Sequence, residues 1–170
     1  MLKVDLGELA RRKRLQIDTS VPADSAHVAN AGFSLVGPLG VELDVQMAMN
    51  DIVIRGRLEG EAEIACRRCL VPVRAPIDQE VTWLFREGVS QVEAEAEEIY
   101  PLPERGHELD LSGPLREHLL LAVPDFVECQ EACKGLCPSC GANLNETTCG
   151  CATSQTDDRW SALRQLTNKD

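Results

Sequence analysis

Six of the eight cysteines in this 170-residue chain fall between Cys129 and Cys151, in the order Cys129-x3-Cys133-x3-Cys137-x2-Cys140-x8-Cys149-x-Cys151. The other two form Cys66-Arg67-Arg68-Cys69. Two thiolates spaced two residues apart reach one tetrahedral ion from a single tight turn, so sulfur at this density predicts metal binding, with zinc as the ion. In Cys137-Pro138-Ser139-Cys140-Gly141 the proline fixes the backbone entering the turn, and the glycine permits the positive φ that brings amides towards sulfur.

Two other chemistries compete for the same thiols. Eight is an even number and would allow four disulfides. Met1 to Leu6 shows no apolar signal region, however, so a reducing, cytoplasmic setting is expected. Cys137 and Cys140 could also serve a thiol-disulfide oxidoreductase. Such a pair normally follows a strand and opens a helix, whereas Lys134-Gly135-Leu136 before it and Gly141-Ala142-Asn143 after it read as loop.

Two sets of four use every sulfur. Cys137, Cys140, Cys149 and Cys151 make a local site, and Cys66, Cys69, Cys129 and Cys133 make a second that ties distant segments together. Cys133 could instead join the local set, and spacing leaves both partitions open. Four thiolates close an ion off from water, so two structural zinc ions are expected rather than a catalytic one. Each site would carry a formal charge of about −2, for which Arg67, Arg68 and Lys134 are suitable neighbours. His27, His107 and His118 lie in separate segments, and no nucleophile elbow, phosphate loop or acid/base constellation occurs. Nothing in the sequence calls for an enzyme.

The net charge is −11, which repels phosphate. Any RNA contact must therefore be local, and the candidates are Arg11, Arg12, Lys13 and Arg14 together with Arg67 and Arg68. Each patch taken alone is ordinarily a solvated face. An acidic run, Glu93, Glu95, Glu97 and Glu98, stands against them. The longest apolar run, Leu119 to Val123, is far short of a membrane span, so a soluble chain is expected.

These residues need elements to hold them. A short helix is predicted around Gly7 to Arg14, with Leu6 and Leu9 as its apolar contacts, before Leu15 to Asp18 turns extended. From Val41 to Phe85 apolar residues alternate with polar ones, which is strand periodicity. Turns are predicted at Asn50-Asp51 and at Glu59-Gly60, and the Cys66 pair sits at a hairpin tip. Pro72 and Pro76 cannot donate to a ladder, which places their stretch at an edge or a bulge. Gln91 to Glu98 reads as a mobile connection, with a short helix as the alternative, and His107 to Leu111 as extended. A helix follows from Ser112 as N-cap, with Pro114 in its first turn and Leu115, Leu119 and Ala122 on one face, until Pro124 ends it. Asp157 to Leu166 is a last amphipathic helix. The fold class is α+β: an antiparallel β meander with a few short helices over residues 1–125, then a cysteine-rich zinc module and C-terminal helix over 126–170.

In this order the motifs resemble the YceD-like family of large ribosomal RNA subunit accumulation proteins, a bacterial and plastid group. The resemblance rests on Cys66-Arg67-Arg68-Cys69-Leu70, Leu109-Asp110-Leu111, Arg116 to Pro124, Cys129 to Asn145 with Cys149-x-Cys151, and Asp158 to Leu163. Asp157-Asp158 stands where members often show Asp-Pro. What the resemblance implies is a non-enzymatic role in large-subunit biogenesis, supporting its ribosomal RNA. The family's genes often neighbour that of a small, basic, zinc-binding large-subunit protein, so the implied partners are large-subunit ribosomal RNA, that basic protein, or both.

Overall fold

The computed structural model describes residues 2–25, 31–89, 92–93, 96, 99–103 and 106–151. Lys3–Asp5 forms β1, Leu6–Arg12 α1, Arg14–Val21 β2 and Ser34–Leu35 β3. Leu39–Ala48, Asp51–Ala65 and Pro72–Arg86 follow as β4, β5 and β6. Ile99–Pro101 is β7, Glu108–Asp110 β8 and Ser112–Ala122 the second helix, α2. Strands dominate, with α1 and α2 beside them, in keeping with an α+β protein.

The main sheet runs β2-β4-β5-β6-β7, with β3 pairing β5. The pairs among β2, β4, β5 and β6 are antiparallel, whereas β7 joins β6 in parallel. Alternation decides which face is buried: Val41, Leu43 and Val45 of β4, Ile52, Ile54 and Leu58 of β5, and Val81, Trp83 and Phe85 of β6 point into one core. α2 covers that face with Leu115 and Leu119. Trp83 is fully buried, and its Nε1–H finds an acceptor in His118 Nδ1 at 3.1 Å.

The turn expected at Glu59-Gly60 does not form. β5 is one uninterrupted 15-residue strand in which Gly60 pairs with Ile77 and Glu59 with Asp78. Gly60 holds its place in the even-numbered, inward series, and a Cβ there would come within 3.1 Å of Leu39 Cδ1. The glycine makes room for a neighbour and does not break the strand. Pro72 and Pro76 lie in a register with no bulge, on a stretch of β6 beyond the three residues that β7 covers, so they occupy an edge.

Both helix ends differ slightly from the sequence expectation. α1 stops at Arg12 because Lys13 turns left-handed at φ 64° and donates its N–H to Leu9 C=O. α2 begins at Ser112, with Leu111 as N-cap and Asp110 Oδ1 accepting the Ser112 N–H at 2.9 Å. Ser112 is therefore not the cap. β1 and β8 pair as a separate two-stranded sheet next to the start of α2. His27, most of the Gln91 to Glu98 connection and the Asp157 to Leu166 helix lie outside the described residues.

Candidate metal centres

The Cys66 pair sits on the tip of the β5–β6 hairpin, and its backbone repeats in the loop at Cys137. Cys66 donates its N–H to Val71 C=O and its own C=O accepts the Leu70 N–H; Cys137 does the same with Ala142 and Gly141. The residue after each second cysteine is left-handed, Leu70 at φ 62° and Gly141 at φ 73°. Glycine adopts that conformation freely, whereas Leu70 must be held there. The two turns aim equivalent amides at sulfur. Burial raises the Cys66 thiol, but the N–H groups of Cys69, Arg68 and Cys129 outweigh it and bring it to about 6. The N–H groups of Cys140 and Ser139 hold Cys137 at about 6 as well.

The eight sulfurs gather into two groups, Cys66, Cys69, Cys129 and Cys133 in the first and Cys137, Cys140, Cys149 and Cys151 in the second. Within each group all ligand atoms lie within 4.8 Å of one another, so either could hold a metal ion. Cys133 stands with Cys66, at 3.9 Å between sulfurs, and Cys69 is 3.5 Å from Cys129.

The donor sets suit a divalent cation. In each tetrad one thiol sits near 6 while another is pushed up to about 12: Cys129 by burial of its sulfur and then by the neighbouring sulfurs, and Cys151 by Cys140. Clustered sulfurs resist sharing several negative charges, and a cation among them removes that resistance.

The first tetrad joins the hairpin tip to the segment after α2. Arg67 N–H bonds Val127 C=O, and Leu136 N–H bonds Arg68 C=O at 3.0 Å. Gly135, at φ 77°, permits this approach, since a Cβ would lie 3.1 Å from Arg68 O. Asn145 connects the two tetrads. It projects from the loop between Cys140 and Cys149, its Nδ2 donates to Cys133 Sγ at 3.4 Å, and its Oδ1 accepts the Lys134 N–H at 2.8 Å. Asn143 Oδ1 in turn accepts from Asn145 Nδ2 at 2.9 Å. Sequence reading missed both asparagines. The available signal was a pair of amide side chains two apart inside a loop bounded by ligands.

The expected cationic neighbours behave differently. Arg67 directs its guanidinium to Glu128, with Nε 2.8 Å from Oε1, and lies over the Phe126 ring at 5.8 Å. Arg68 and Lys134 serve the first site through backbone groups, and the Arg68 side chain is exposed. Of the N-terminal run, Arg12 pairs with Glu8 at 3.3 Å and Arg14 with Asp44 at 2.7 Å. Lys13 Nζ lies 3.6 Å from Met47 Sδ, and the Arg11 side chain is solvent-facing. The structure does not bring the two basic patches into one site.

A strand-dominated protein whose hairpin tip and C-terminal loops are organised around two cysteine tetrads defines the class. The chain belongs to the YceD family, described as large ribosomal RNA subunit accumulation protein YceD, whose model matches residues 54–167. An uncharacterized protein of Mycobacterium tuberculosis is 28% identical over 171 residues, covering 97% of this chain and 81% of its own length. The chloroplastic large ribosomal RNA subunit accumulation protein YCED homolog 1 of Arabidopsis thaliana is 36% identical over 64 residues, 38% of this chain and 20% of that protein. Its Zea mays counterpart is 42% identical over 50 residues, 29% of this chain and 17% of that protein. No solved structure matches the chain. The family name places the chain with proteins that act in accumulation of large-subunit ribosomal RNA. No helix among the described residues is long and apolar enough to cross a membrane.

Proposed function

We propose that the chain is a non-enzymatic cytoplasmic factor in large ribosomal subunit biogenesis, that each cysteine tetrad holds a structural zinc ion, and that it supports ribosomal RNA through a basic large-subunit protein. Residues 1–125 would be the sheet domain and 126–170 the cysteine-rich module. The observation that carries the choice of partner is internal pairing: Arg12, Arg14 and Arg67, three of the six candidate RNA-binding residues, already hold carboxylates of this chain. With a net charge of −11, a cationic protein is attracted over a long range and phosphate is repelled. Closed four-thiolate sites leave no open position for substrate, which argues against the oxidoreductase at Cys137 and Cys140.

Elemental analysis tests the metal, with close to two zinc ions per chain expected; metal-free protein with four disulfides would end the zinc reading. Capture from a ribosome-containing lysate, with and without RNase, tests the partner. A basic large-subunit protein should stay bound after RNase. A salt-sensitive RNA complex of the isolated protein, abolished by Arg67→Ala with Arg68→Ala, would instead establish direct RNA binding.

A further inference from the structure

Among the described residues the main sheet has two outer edges, and only one is guarded. On the β6 side, β7 covers Leu84 to Arg86 and the exposed stretch carries Pro72 and Pro76, which blunt pairing. β2 is eight residues long, contains neither proline nor lysine, and among the described residues pairs on one side alone. Which of its groups face outward follows from the ladder. Met47 donates its N–H to Lys13 C=O, which puts Leu15, Ile17 and Thr19 in the hydrogen-bonded positions opposite β4. Arg14, Gln16, Asp18 and Ser20 therefore direct their backbone N–H and C=O away from the sheet, and none of these groups has a backbone partner among the described residues.

β1 repeats the arrangement. Leu6 N–H bonds His107 C=O and Leu111 N–H bonds Leu2 C=O, so Lys3 and Asp5 turn their backbone groups away from β8. The open edges of β1 and β2 line one groove of about 770 Å³, a size typical of ligand clefts.

We propose that this groove is a slot for one extended, basic polypeptide segment, which adds as a strand along β2 and lies against β1. Main-chain groups of both strands supply donors and acceptors in the alternation that a peptide backbone matches and that a nucleic acid does not. Charge selects the segment's sign. The groove's cations, Lys3, Arg12 and Arg14, already hold Glu108, Glu8 and Asp44, and Asp18, the next outward position along β2, has no ion-pair partner among the described residues. A lysine or arginine on the incoming strand would stand beside that carboxylate. A second copy of this chain suits the slot less well, because it brings its own charge of −11 to an edge that favours cations. The inference deepens the reading that the chain acts through a basic protein and rests on it for the kind of partner, while the edge geometry is independent of that reading.

The test uses the full, zinc-loaded chain and a short fluorescein-labelled peptide of alternating lysine and valine. Controls are a glutamate/valine peptide and a lysine/valine peptide N-methylated at alternate amides. Binding is followed by fluorescence anisotropy, and amide exchange at Arg14, Gln16, Asp18 and Ser20 by NMR. The lysine/valine peptide should bind, slow those amides and outcompete both controls. Gln16→Pro removes an outward N–H without touching the β4 ladder, and Asp18→Lys reverses the selecting charge; each should weaken binding about tenfold or more, the loss of one to two hydrogen bonds or an ion pair. If Gln16→Pro does not fold, the N-methylated peptide probes the same bonds from the other side. Binding without slowed exchange, or equal binding of the N-methylated peptide, overturns the slot and leaves the basic-protein reading standing. No binding by the basic peptide also overturns the slot, and failure of lysate capture as well overturns both. Protection of the same amides by single-stranded RNA, or by raising protein concentration with no peptide present, would give the edge to another occupant and likewise overturn the proposal.

Discussion

Among the described residues, Asn145 is the one side chain whose donor reaches a sulfur of the first tetrad from the loop that carries the second. Groups that fix and polarise metal ligands commonly account for 10–100-fold in affinity, so Asn145→Ala should weaken metal retention at Cys66, Cys69, Cys129 and Cys133 by about that factor. Competition with a chromophoric chelator measures it, and an unchanged competition curve would remove Asn145 from the site. His118 has a comparable role in the core. Its Nδ1 accepts from the fully buried Trp83, which requires the ring proton on Nε2. His118→Leu strands that indole N–H and should lower stability by about 1–3 kcal/mol in urea unfolding. The cysteine pairs are legible from spacing because a two-residue gap has few geometric uses. The asparagines and the arginine partners are not, since Asn145 meets Cys133, and Arg67 meets Glu128, only once the loops that carry them have folded.

At the level of elements, strand periodicity was readable wherever one face is buried over many residues, as along Leu39–Ala48 and Asp51–Ala65. Two failures have separate causes. Gly60 reads as a turn because glycine punctuates turns more often than strands, yet here it yields space to Leu39. β1 is three residues, too short to show any period, and its pairing with β8, which lies in the stretch read as extended, depends on contacts across the whole chain. Gly56 is the strictest position in the sheet, since a Cβ would lie 2.0 Å from Glu42 O. Gly56→Val should therefore push β4 from β5 and cost about 1–3 kcal/mol or more, read as a lowered urea midpoint; a midpoint unchanged from wild type would mean that the strands yield freely. The outer face is tied across strands by Arg14–Asp44, Arg57–Asp78 and Arg86–Asp51. Hydrogen bonds from each arginine hold Asp44, Asp78 and Asp51 below the ordinary carboxylate value of 3.8. The unfolded chain then takes up protons first as pH falls, so stability from these pairs is complete above 3.8 and declines below it. Acid unfolding of a triple Asp→Asn variant should show a shallower pH dependence in that window. An identical slope would assign the acid sensitivity to other carboxylates.

For the molecule as a whole, the two tetrads differ in what they connect. The second draws all its sulfurs from residues 137–151, a span that closes on itself through Leu136, Asn143 and Leu144. The first takes Cys66 and Cys69 from the hairpin tip and Cys129 and Cys133 from beyond α2, so a boundary near residue 125 leaves two ligands on each side. A metal bound there is a cross-link closing a loop of some sixty residues, whereas the second closes a short one. Closing the longer loop removes more freedom from the unfolded chain. Losing the first site should therefore release residues 126–151 from the sheet and fray the ends of β5 and β6. Losing the second should loosen residues 137–151 and leave the hairpin protected. Hydrogen exchange on Cys66→Ser and Cys149→Ser, each compared with the chelator-treated wild type, separates the two cases. The expected pattern is asymmetric: Cys66→Ser raises exchange at Ala65, Val71 and throughout the C-terminal module, and Cys149→Ser raises it in the module's second half alone. Neither substitution removes the backbone bonds from Arg67 to Val127 and from Leu136 to Arg68, but these two are too few to hold the module once the cross-link is gone. Identical exchange maps for the two variants would mean that the tetrads fold as one unit, with Asn145 transmitting the loss of either site to the other.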